Sequence, residues 1–424
     1  MSVRRIALSA LRDIVEDGAY ANLRLRQATD GLSARDAAFV TALVHETLDR
    51  LITIDHILSD YVTKRQNVQI RNILRLGCCE LLYMDTPAYA AISENVSLCI
   101  EIGKGAIRGL VNAVLHRIDR ERALLPRLPE DPIQRLCVRY SYPEWLIRRW
   151  SAAYGMAFTE EMLSVGAFPT EVRAQYPFTT EALMQALPVG STRGTFDENC
   201  LLLSDGFDVV AHPAFLDGRM AAQSQSAMLA CRALGDCRGL SVLDACAAPG
   251  GKSAYLYSLH GGNIKITAWD VHAHRVELIQ KTFERLHVRA SVSLQDAAEP
   301  IPALAGAFDR VLLDVPCSGL GLLHEKPDIR YVQSDARIES LAALQASILH
   351  TCCRYVRPGG VLVYATCTIS QAENEAQIRS FLSAQPSFSL SPLPIPVEND
   401  GMLQLFPHIH RTDGFFLARM IKCT

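Results

Sequence analysis

The sequence lacks any apolar run approaching the ~18 residues that a membrane-spanning helix needs, so we expect no helical membrane span. We also expect no secretory signal, because Arg12 and Asp13 interrupt the first apolar stretch too early. Thirteen cysteines among 424 residues are too few for a disulfide scaffold, and none are spaced as C-x-x-C. We therefore expect a cytoplasmic protein without structural zinc or another metal site.

The chain also lacks a large excess of charge of either sign. Its 42 basic and 45 acidic residues give a net charge of −3, which argues against an obligate binder of naked duplex. Residues 1–149 carry 21 Lys+Arg against 18 Asp+Glu, and the remainder carries 21 against 27. This mild asymmetry is compatible with nucleic-acid binding by the N-terminal part, and equally with helices whose charges are only solvated. With 49% hydrophobic residues, the composition excludes disorder and fibrous repeats.

The first 125 residues show the periodicity of amphipathic helices and no strand-like alternation. Apolar stripes at helical spacing begin at Ala7, Val40, Ile54, Ile73 and Val111. Ser33 is a predicted helix N-cap. These patterns predict an all-α bundle over residues 1–125. Prolines at 126, 129 and 132 then predict a linker, and a small connecting α+β module with strand-like fragments at 200–204 and 208–211 is expected over 140–225.

From Gly239 onward, short buried-strand patterns alternate with helix patterns. Strands are predicted at 241–246, 264–270, 290–295, 309–314 and 360–365, and helices at 253–260, 273–286, 338–356 and 373–382. Such alternation is typical of a doubly wound α/β fold with a parallel sheet, here over residues 226–424. The last apolar run, 415–421, has no helix after it and is expected to close an edge of the sheet.

A glycine-rich turn, Cys246–Lys252, follows the first predicted strand of this region. Doubly wound sheets bind nucleotide-like ligands at the carboxyl ends of their strands, and Gly250 and Gly251 let the backbone approach such a ligand. Asp270 and Asp296 end the next two strands, where carboxylates are expected to bind ribose hydroxyls and the edge of an adenine. The G-x-G-x-x-G fingerprint and the P-loop are both missing, which favours S-adenosylmethionine over a pyrophosphate-containing ligand. A turn that serves packing alone is the alternative.

Two cysteines follow predicted strands at this same edge of the sheet. Cys317 comes three residues after Asp314, and Cys367 follows the next strand. A thiolate there suits attack on C6 of a pyrimidine, because the addition makes an enamine whose C5 can take a methyl group from a sulfonium. The two positions alone do not say which thiol attacks. The pairs Cys78-Cys79 and Cys352-Cys353 lie on helical stripes and are predicted to be core residues.

These motifs resemble those of a known family, the bacterial 16S ribosomal RNA cytosine-C5 methyltransferases of the Sun/Fmu/RsmB type. The matching segments are Leu243–Lys252 (LDACAAPGGK), Phe308–Gly319 (FDRVLLDVPCSG), Lys326–Arg330 (KPDIR), Leu362–Thr368 (LVYATCT), Glu373-Asn374 and Asp413–Phe416 (DGFF). Residues 1–120 resemble the helical NusB domain fused to this family, chiefly over 88–94 and 109–115. The resemblance implies a Rossmann-like class I methyltransferase domain over 226–424 and a NusB-like RNA-binding domain over 1–125.

The resemblance also implies a role for each site residue. Cys367 of the Thr-Cys motif is the implied nucleophile, Cys317 of the Pro-Cys motif assists product release, and Asp314 holds the cytosine edge. The implied cofactor is S-adenosyl-L-methionine, bound by Cys246, Ala247, Ala248, Pro249, Gly250, Gly251, Lys252, Asp270, Asp296 and Asp314. The implied substrate is 16S ribosomal RNA or a small-subunit assembly intermediate, and we expect a monomer.

Several positions depart from the family pattern. Thr368 stands where serine is usual, and His324 lies in a segment expected to be richer in arginine. Gln225 replaces a common aspartate, and Ala174 and Gln175 replace an Arg/Asn-type contact. We expect these changes to affect contacts with RNA more than the chemistry.

The main alternative is a non-catalytic RNA-binding ribosome-assembly factor that retains the methyltransferase fold. Its RNA binding would survive the loss of Cys367, but the presence of both thiols argues against it. A nicotinamide-dependent oxidoreductase is remote, because its fingerprint is missing. For RNA docking, the helical domain is predicted to offer a basic surface formed by Arg4, Arg5, Arg71, Arg75, Lys104 and Arg108.

Overall fold

The computed structural model describes residues 2–64, 66–204 and 207–423, and the chain divides into two compact units. The first unit comprises Met1–Val165 together with Leu323–Gln333, and the second comprises Gly166–Leu322 together with Ser334–Thr424. The chain therefore passes between the units three times. Among the described residues, no helix is long and apolar enough to span a membrane.

The described part of the first unit contains helices and no strand. Its helices before residue 165 are α1 (Val3–Val15), α2 (Ala21–Thr29), α3 (Ala34–Asp49), α4 (Leu51–Ser59), α5 (Val68–Tyr83), α6 (Ala88–Glu101), α7 (Arg108–Glu121), α8 (Pro132–Tyr140), α9 (Glu144–Tyr154) and α10 (Met156–Leu163). Leu11, Leu43 and Leu115 from the predicted stripes are fully buried in one core. Ser33 caps α3 by accepting a hydrogen bond from the Asp36 N–H at 3.1 Å. The predicted helical bundle and its N-cap are confirmed.

The helical unit extends beyond the predicted boundary at residue 125. Residues 125–131 form the expected loop, but Pro132 then occupies the first turn of α8, where its missing N–H is not needed. Leu146 and Trp150 are buried along α9. Residues 140–165 belong to this helical unit, whereas the sequence predicts a connecting α+β module over 140–225.

The second unit combines strands and helices. Its strands are β1 (Glu171–Ala174), β2 (Thr192–Arg193), β3 (Cys200–Leu202), β4 (Met220–Ala222), β5 (Ser241–Asp244), β6 (Lys265–Asp270), β7 (Ser291–Leu294), β8 (Phe308–Asp314), β9 (Val356–Thr366), β10 (Phe388–Leu390), β11 (Met402–Leu405) and β12 (Phe415–Lys422). The remaining helices are α11 (Thr180–Ala186), α12 (Pro213–Leu216), α13 (Gln225–Arg232), α14 (Gly251–Leu259), α15 (Ala273–Arg285), α16 (Ile329–Val332, in the first unit), α17 (Asp335–Cys352), α18 (Glu375–Ala384) and α19 (Pro407–His410).

The main sheet has the strand order β10-β12-β9-β8-β5-β6-β7, and its pairs from β9 to β7 are parallel. Neighbouring residues of one strand enter different cores. Val242 packs in the core that contains α13 and α14, whereas Leu243 packs in the core that contains α17 and α18. Helices thus cover both faces, and the predicted doubly wound α/β fold is confirmed.

The outer strands of this sheet differ from the sequence-based expectation. β12 pairs antiparallel with β9, and both β10 and β11 pair with β12 on its other side. The expectation that residues 415–421 close the sheet edge is therefore wrong. The pattern of β12 is that of a strand buried on both faces, and such a pattern does not tell an edge strand from an inner one.

A second, four-stranded sheet lies between residues 171 and 222, with the order β2-β3-β1-β4 and antiparallel pairs throughout. The strand expected at 200–204 is present but ends at Leu202. The strand expected at 208–211 is wrong. The Asp208 carboxylate accepts hydrogen bonds from the N–H groups of Val210 and Ala211, which makes this stretch a turn.

Arg330 anchors the segment Leu323–Gln333 within the helical unit. Its side chain is 4% exposed, and its guanidinium lies 3.9 Å from the ring centroid of Tyr142. The guanidinium donates hydrogen bonds to the Asp49 carbonyl and carboxylate, each at 2.8 Å, and to the Leu323 carbonyl at 3.1 Å. The segment that contains the Lys-Pro-Asp-Ile-Arg motif is therefore held in the first unit by the arginine of that motif.

We expect Arg330→Met to destabilise the first unit by about 3 kcal/mol, because it leaves buried carbonyl groups without a donor. Calorimetric unfolding of the full chain measures this loss. Arg337→Met, at an exposed position of α17, is the matched control and should leave unfolding unchanged. If the Arg330→Met protein unfolds like this control, the guanidinium does not hold the segment.

Candidate active site

The predicted cofactor turn lies between β5 and α14 and depends on Gly250. The φ of this residue is +101°, in the left-handed region, and a Cβ would come within 3.1 Å of Phe283 Cε1. Only glycine meets both conditions. Gly251 begins α14. Apart from its chain neighbours and the backbone of its own helix, no described residue has an atom within 4 Å of the place a Cβ would take there. The backbone is therefore uncovered at the start of α14.

Asp270 is the last residue of β6, and Asp296 follows the neighbouring strand β7 by two residues, as the sequence predicts. The Asp270 side chain is 5% exposed, and its Oδ1 accepts a hydrogen bond from the His272 N–H at 3.0 Å. Asp296 Oδ1 accepts one from the Ala298 N–H at 2.8 Å. Since one oxygen of each carboxylate is fixed by backbone, the second is suited to the hydroxyl or amino groups of a ligand. Together with the uncovered turn, these two carboxylates fit the adenosine part of S-adenosylmethionine.

Asp244, which the sequence analysis missed, lies buried under the turn. Its Oδ2 accepts a hydrogen bond from Ser253 Oγ at 2.7 Å, and its Oδ1 is buried without a hydrogen-bond partner among the described residues. Burial, with a contribution from the charge of Asp314, raises the pKa of Asp244 to about 6. The sequence contains a signal for this residue, because Asp244 is an acidic residue at the end of the predicted strand that leads into the glycine-rich turn.

Lys252 and Asp314 form an ion pair between the turn and the end of β8. Lys252 Nζ lies 2.5 Å from Asp314 Oδ2 and 5.7 Å from the ring centroid of Phe415. Burial alone would lower the pKa of Lys252, but the Asp314 carboxylate outweighs it and the pKa is raised, with a further contribution from Cys367. Lys252 therefore carries a positive charge that is paired with Asp314, and it interacts electrostatically with the Cys367 thiol.

The two predicted thiols meet at the ends of β8 and β9. Cys317 Sγ and Cys367 Sγ are 3.4 Å apart, and both side chains are partly exposed. The hydrogen bond with Cys367, together with burial and the charge of Glu373, holds the pKa of Cys317 well above its ordinary value. Cys317 is thus a neutral thiol at neutral pH, in contact with the sulfur of Cys367.

The cysteines outside the thiol pair differ in their exposure to solvent. Cys78-Cys79 and Cys352-Cys353 are buried, as predicted. Cys246 in the cofactor turn is partly exposed, and burial of its thiol raises its pKa well above the ordinary value. Among the described residues, Cys423 is the one exposed cysteine.

The positions predicted to affect RNA contacts are largely buried. Gln225 accepts a hydrogen bond from the Phe196 N–H at 2.9 Å and donates to Glu171 Oε1 at 2.6 Å. Ala174 and Gln175 are also buried. These buried side chains pack around the small sheet, and their expected effect on RNA contacts stays a prediction. His324 is half-buried within the segment Leu323–Gln333.

The predicted basic surface of the helical unit is also wrong in part. Arg75 is 5% exposed and pairs with Asp55 at 2.6 Å, and Arg4 pairs with the buried Glu80 at the same distance. Arg5 and Arg71 are paired as well, with Glu101 and Glu16 respectively. Arg108 is exposed and Lys104 is half-buried. The periodicity of apolar residues predicts the helices of this unit, but it does not show which arginines on them have acidic partners.

Known proteins resemble the chain over its whole length. The family model for 16S rRNA methyltransferase RsmB/F matches residues 233–421, and the model for the NusB family matches residues 1–120. The probable ribosomal RNA small subunit methyltransferase B of Bacillus subtilis is 35% identical, with 99% of each chain covered. The ribosomal RNA small subunit methyltransferase B of Shewanella oneidensis is 32% identical, with 100% of each chain covered.

Solved structures share the fold. The crystal structure of PH0851 matches with a TM-score of 0.84 and 24% identity, covering 100% of this chain and 99% of that chain. The doubly wound sheet and its strand-end turn define a Rossmann-like class I methyltransferase, whose cofactor is S-adenosylmethionine. The chain belongs to the 16S rRNA methyltransferase RsmB/F family and carries an N-terminal NusB-family domain.

The pH dependence of unfolding tests the buried state of Asp244. With its pKa raised from 3.8 to about 6, the folded protein keeps a proton that the unfolded chain loses between those values. This group favours folding at low pH, and its contribution is lost as pH rises through about 6. We therefore expect Asp244→Asn to gain about 2 kcal/mol relative to the unmodified protein between about pH 4.5 and 7.5. Urea unfolding across this range measures the difference, and a constant difference would contradict the assignment.

Proposed function

We propose that this protein transfers a methyl group from S-adenosylmethionine to C5 of a cytosine in 16S ribosomal RNA, through a covalent bond between Cys367 and C6 of the base. The observation that carries the proposal is the thiol pair. Cys317 Sγ and Cys367 Sγ lie 3.4 Å apart at the ends of adjacent parallel strands, beside the Lys252–Asp314 ion pair. The relatives' names and the NusB-family domain support a small-subunit RNA substrate.

The cofactor is proposed to bind along the turn Cys246–Lys252, with Asp270 on the ribose and Asp296 at the adenine. Asp314, at the end of β8, is proposed to lie between cofactor and base. When bound, S-adenosylmethionine supplies an electrophilic methyl group on a sulfonium. The protein must supply the rest, which is an orienting site for the base and a nucleophile that makes C5 electron-rich.

Cys367 is proposed to attack C6 as a thiolate. The new S–C6 bond saturates C6 and moves electron density to C5. C5 would then take the methyl group as the S–CH3 bond of the sulfonium breaks and S-adenosylhomocysteine leaves. The Asp314 carboxylate is proposed to accept a hydrogen bond from the cytosine amino group, which orients the ring over the thiols.

Release requires that the C5 proton leaves and that the C6–S bond breaks. A base removes the proton, the electron pair restores the C5–C6 double bond, and Cys367 departs as a thiolate. Cys317 is a neutral thiol at contact distance from this sulfur, so its S–H can donate a hydrogen bond to the departing thiolate. This is the proposed role of Cys317 in product release.

The test compares methyl transfer by three variants on unmodified 16S RNA and on small-subunit particles, using labelled S-adenosylmethionine and nucleoside analysis for 5-methylcytosine. We expect Cys367→Ala to abolish transfer and to form no denaturation-resistant adduct with RNA. Cys317→Ser should accumulate that adduct, because attack proceeds while release is slowed. Cys423→Ser changes an exposed cysteine outside the site and is the matched control.

Two results would overturn this proposal. Adduct in Cys367→Ala with none in Cys317→Ser would move the nucleophile to Cys317. Absence of transfer in the unmodified protein on both substrates, with RNA binding retained, would favour a non-catalytic assembly factor.

A further inference from the structure

The adjacent residues Glu373 and Asn374 follow the Cys367 turn and precede α18, and both side chains are fully buried. Neither has a role in the steps described above. A buried carboxylate is costly unless several donors surround it, so the position of those donors indicates what the carboxylate does.

Glu373 holds the backbone around Cys317. Its Oε1 accepts a hydrogen bond from the Ser318 N–H at 2.8 Å, and its Oε2 accepts one from Ser318 Oγ at 2.6 Å. Gln345 Nε2 donates both to Glu373 Oε1, at 3.1 Å, and to the Pro316 carbonyl, at 2.9 Å. Ser318, on one side of Cys317, is therefore hydrogen-bonded to the Glu373 carboxylate. Pro316, on the other side, is hydrogen-bonded to the Gln345 amide, which also binds Glu373.

Asn374 does the same for Cys367. Its Oδ1 accepts a hydrogen bond from Thr366 Oγ1 at 2.6 Å, and its Nδ2 donates to the Thr368 carbonyl at 3.0 Å. Both residues that flank Cys367 are thus bound to one side-chain amide. The amide orientation is defined, because a hydroxyl donates to its oxygen and a carbonyl accepts from its nitrogen.

A hydroxyl pair joins the two turns. Ser318 Oγ and Thr368 Oγ1 are 2.6 Å apart, and these residues directly follow Cys317 and Cys367. A carboxylate only accepts, so the Ser318 hydroxyl donates to Glu373 and its oxygen is left to accept from Thr368. Glu373 thereby sets the direction of the whole chain of hydrogen bonds.

We propose that Glu373 and Asn374 form a clamp of positioning residues that holds the Cys317 and Cys367 turns together and keeps the two sulfur atoms in contact. This inference rests on the proposed function. Small displacements between a nucleophile and its partner groups reduce rates by about 100-fold, so a rigid support beneath both thiols has a direct kinetic consequence. The charge of Glu373 adds a second effect, since it contributes to the raised pKa of Cys317.

The first test replaces Glu373 by glutamine in the full-length protein. Glu373→Gln removes the charge and places an amide nitrogen against hydrogen-bond donors, so kcat should fall about 100-fold while KM for RNA and for S-adenosylmethionine stays within about twofold. Labelling of Cys317 by iodoacetamide, followed by peptide mapping, should begin at lower pH than in the unmodified protein. Glu375→Gln is the matched control, because it makes the same change two residues away, in the first turn of α18.

A second pair of variants isolates the link between the turns. Thr368→Val keeps the shape of the side chain but removes its hydroxyl, and kcat should fall about 10-fold. Thr368→Ser restores the hydroxyl and should restore kcat. This pair decides the question if Glu373→Gln fails to fold.

Unchanged kcat in both Glu373→Gln and Thr368→Val would overturn the clamp, as would a rise in KM without a fall in kcat. These outcomes presuppose transfer by the unmodified protein. If the unmodified protein makes no 5-methylcytosine, the proposed function fails instead, so the two failures are distinguishable.

Discussion

The parallel pairing of β8 with β9 is the constraint on which the site depends. Their register sets Asp314 beside Ala365, so the loops that leave the two strands start from one edge of the sheet. Cys317 and Cys367 come three and two residues beyond these paired positions, which is why their sulfur atoms meet. β5 flanks β8 on the other side, and the turn after it brings Lys252 to Asp314.

The charges around this edge give the two thiols different surroundings. Lys252 is held protonated by Asp314 and acts electrostatically on Cys367, whereas the carboxylate of Glu373 acts on Cys317. The raised pKa of Cys317 is consistent with its proposed role as a neutral thiol that assists departure of the base.

The sequence predicted the parallel strands and their strand-end residues well, because each strand is a short buried run that ends at a distinctive turn. Partners across the sheet were not predictable, and β12 was consequently placed at the edge. The burial of Arg75 and Gln225 is not predictable for a similar reason. Their partners, Asp55 and Glu171, are distant in sequence, and periodicity does not report tertiary hydrogen bonds. The sequence indicates no role for the Glu373-Asn374 motif, since its contacts exist only in the folded sheet.

The proposed covalent bond between Cys367 and C6 of the base is the step from which the roles of the neighbouring residues follow. The most direct measurement uses RNA that contains 5-fluorocytosine at the target site, where no proton can leave C5 and the adduct persists. After incubation with S-adenosylmethionine, proteolysis and mass spectrometry identify the peptide that carries the nucleotide. We predict that it contains Cys367. A nucleotide on the peptide that contains Cys317, or the absence of any adduct from a protein that methylates ordinary RNA, would contradict the account.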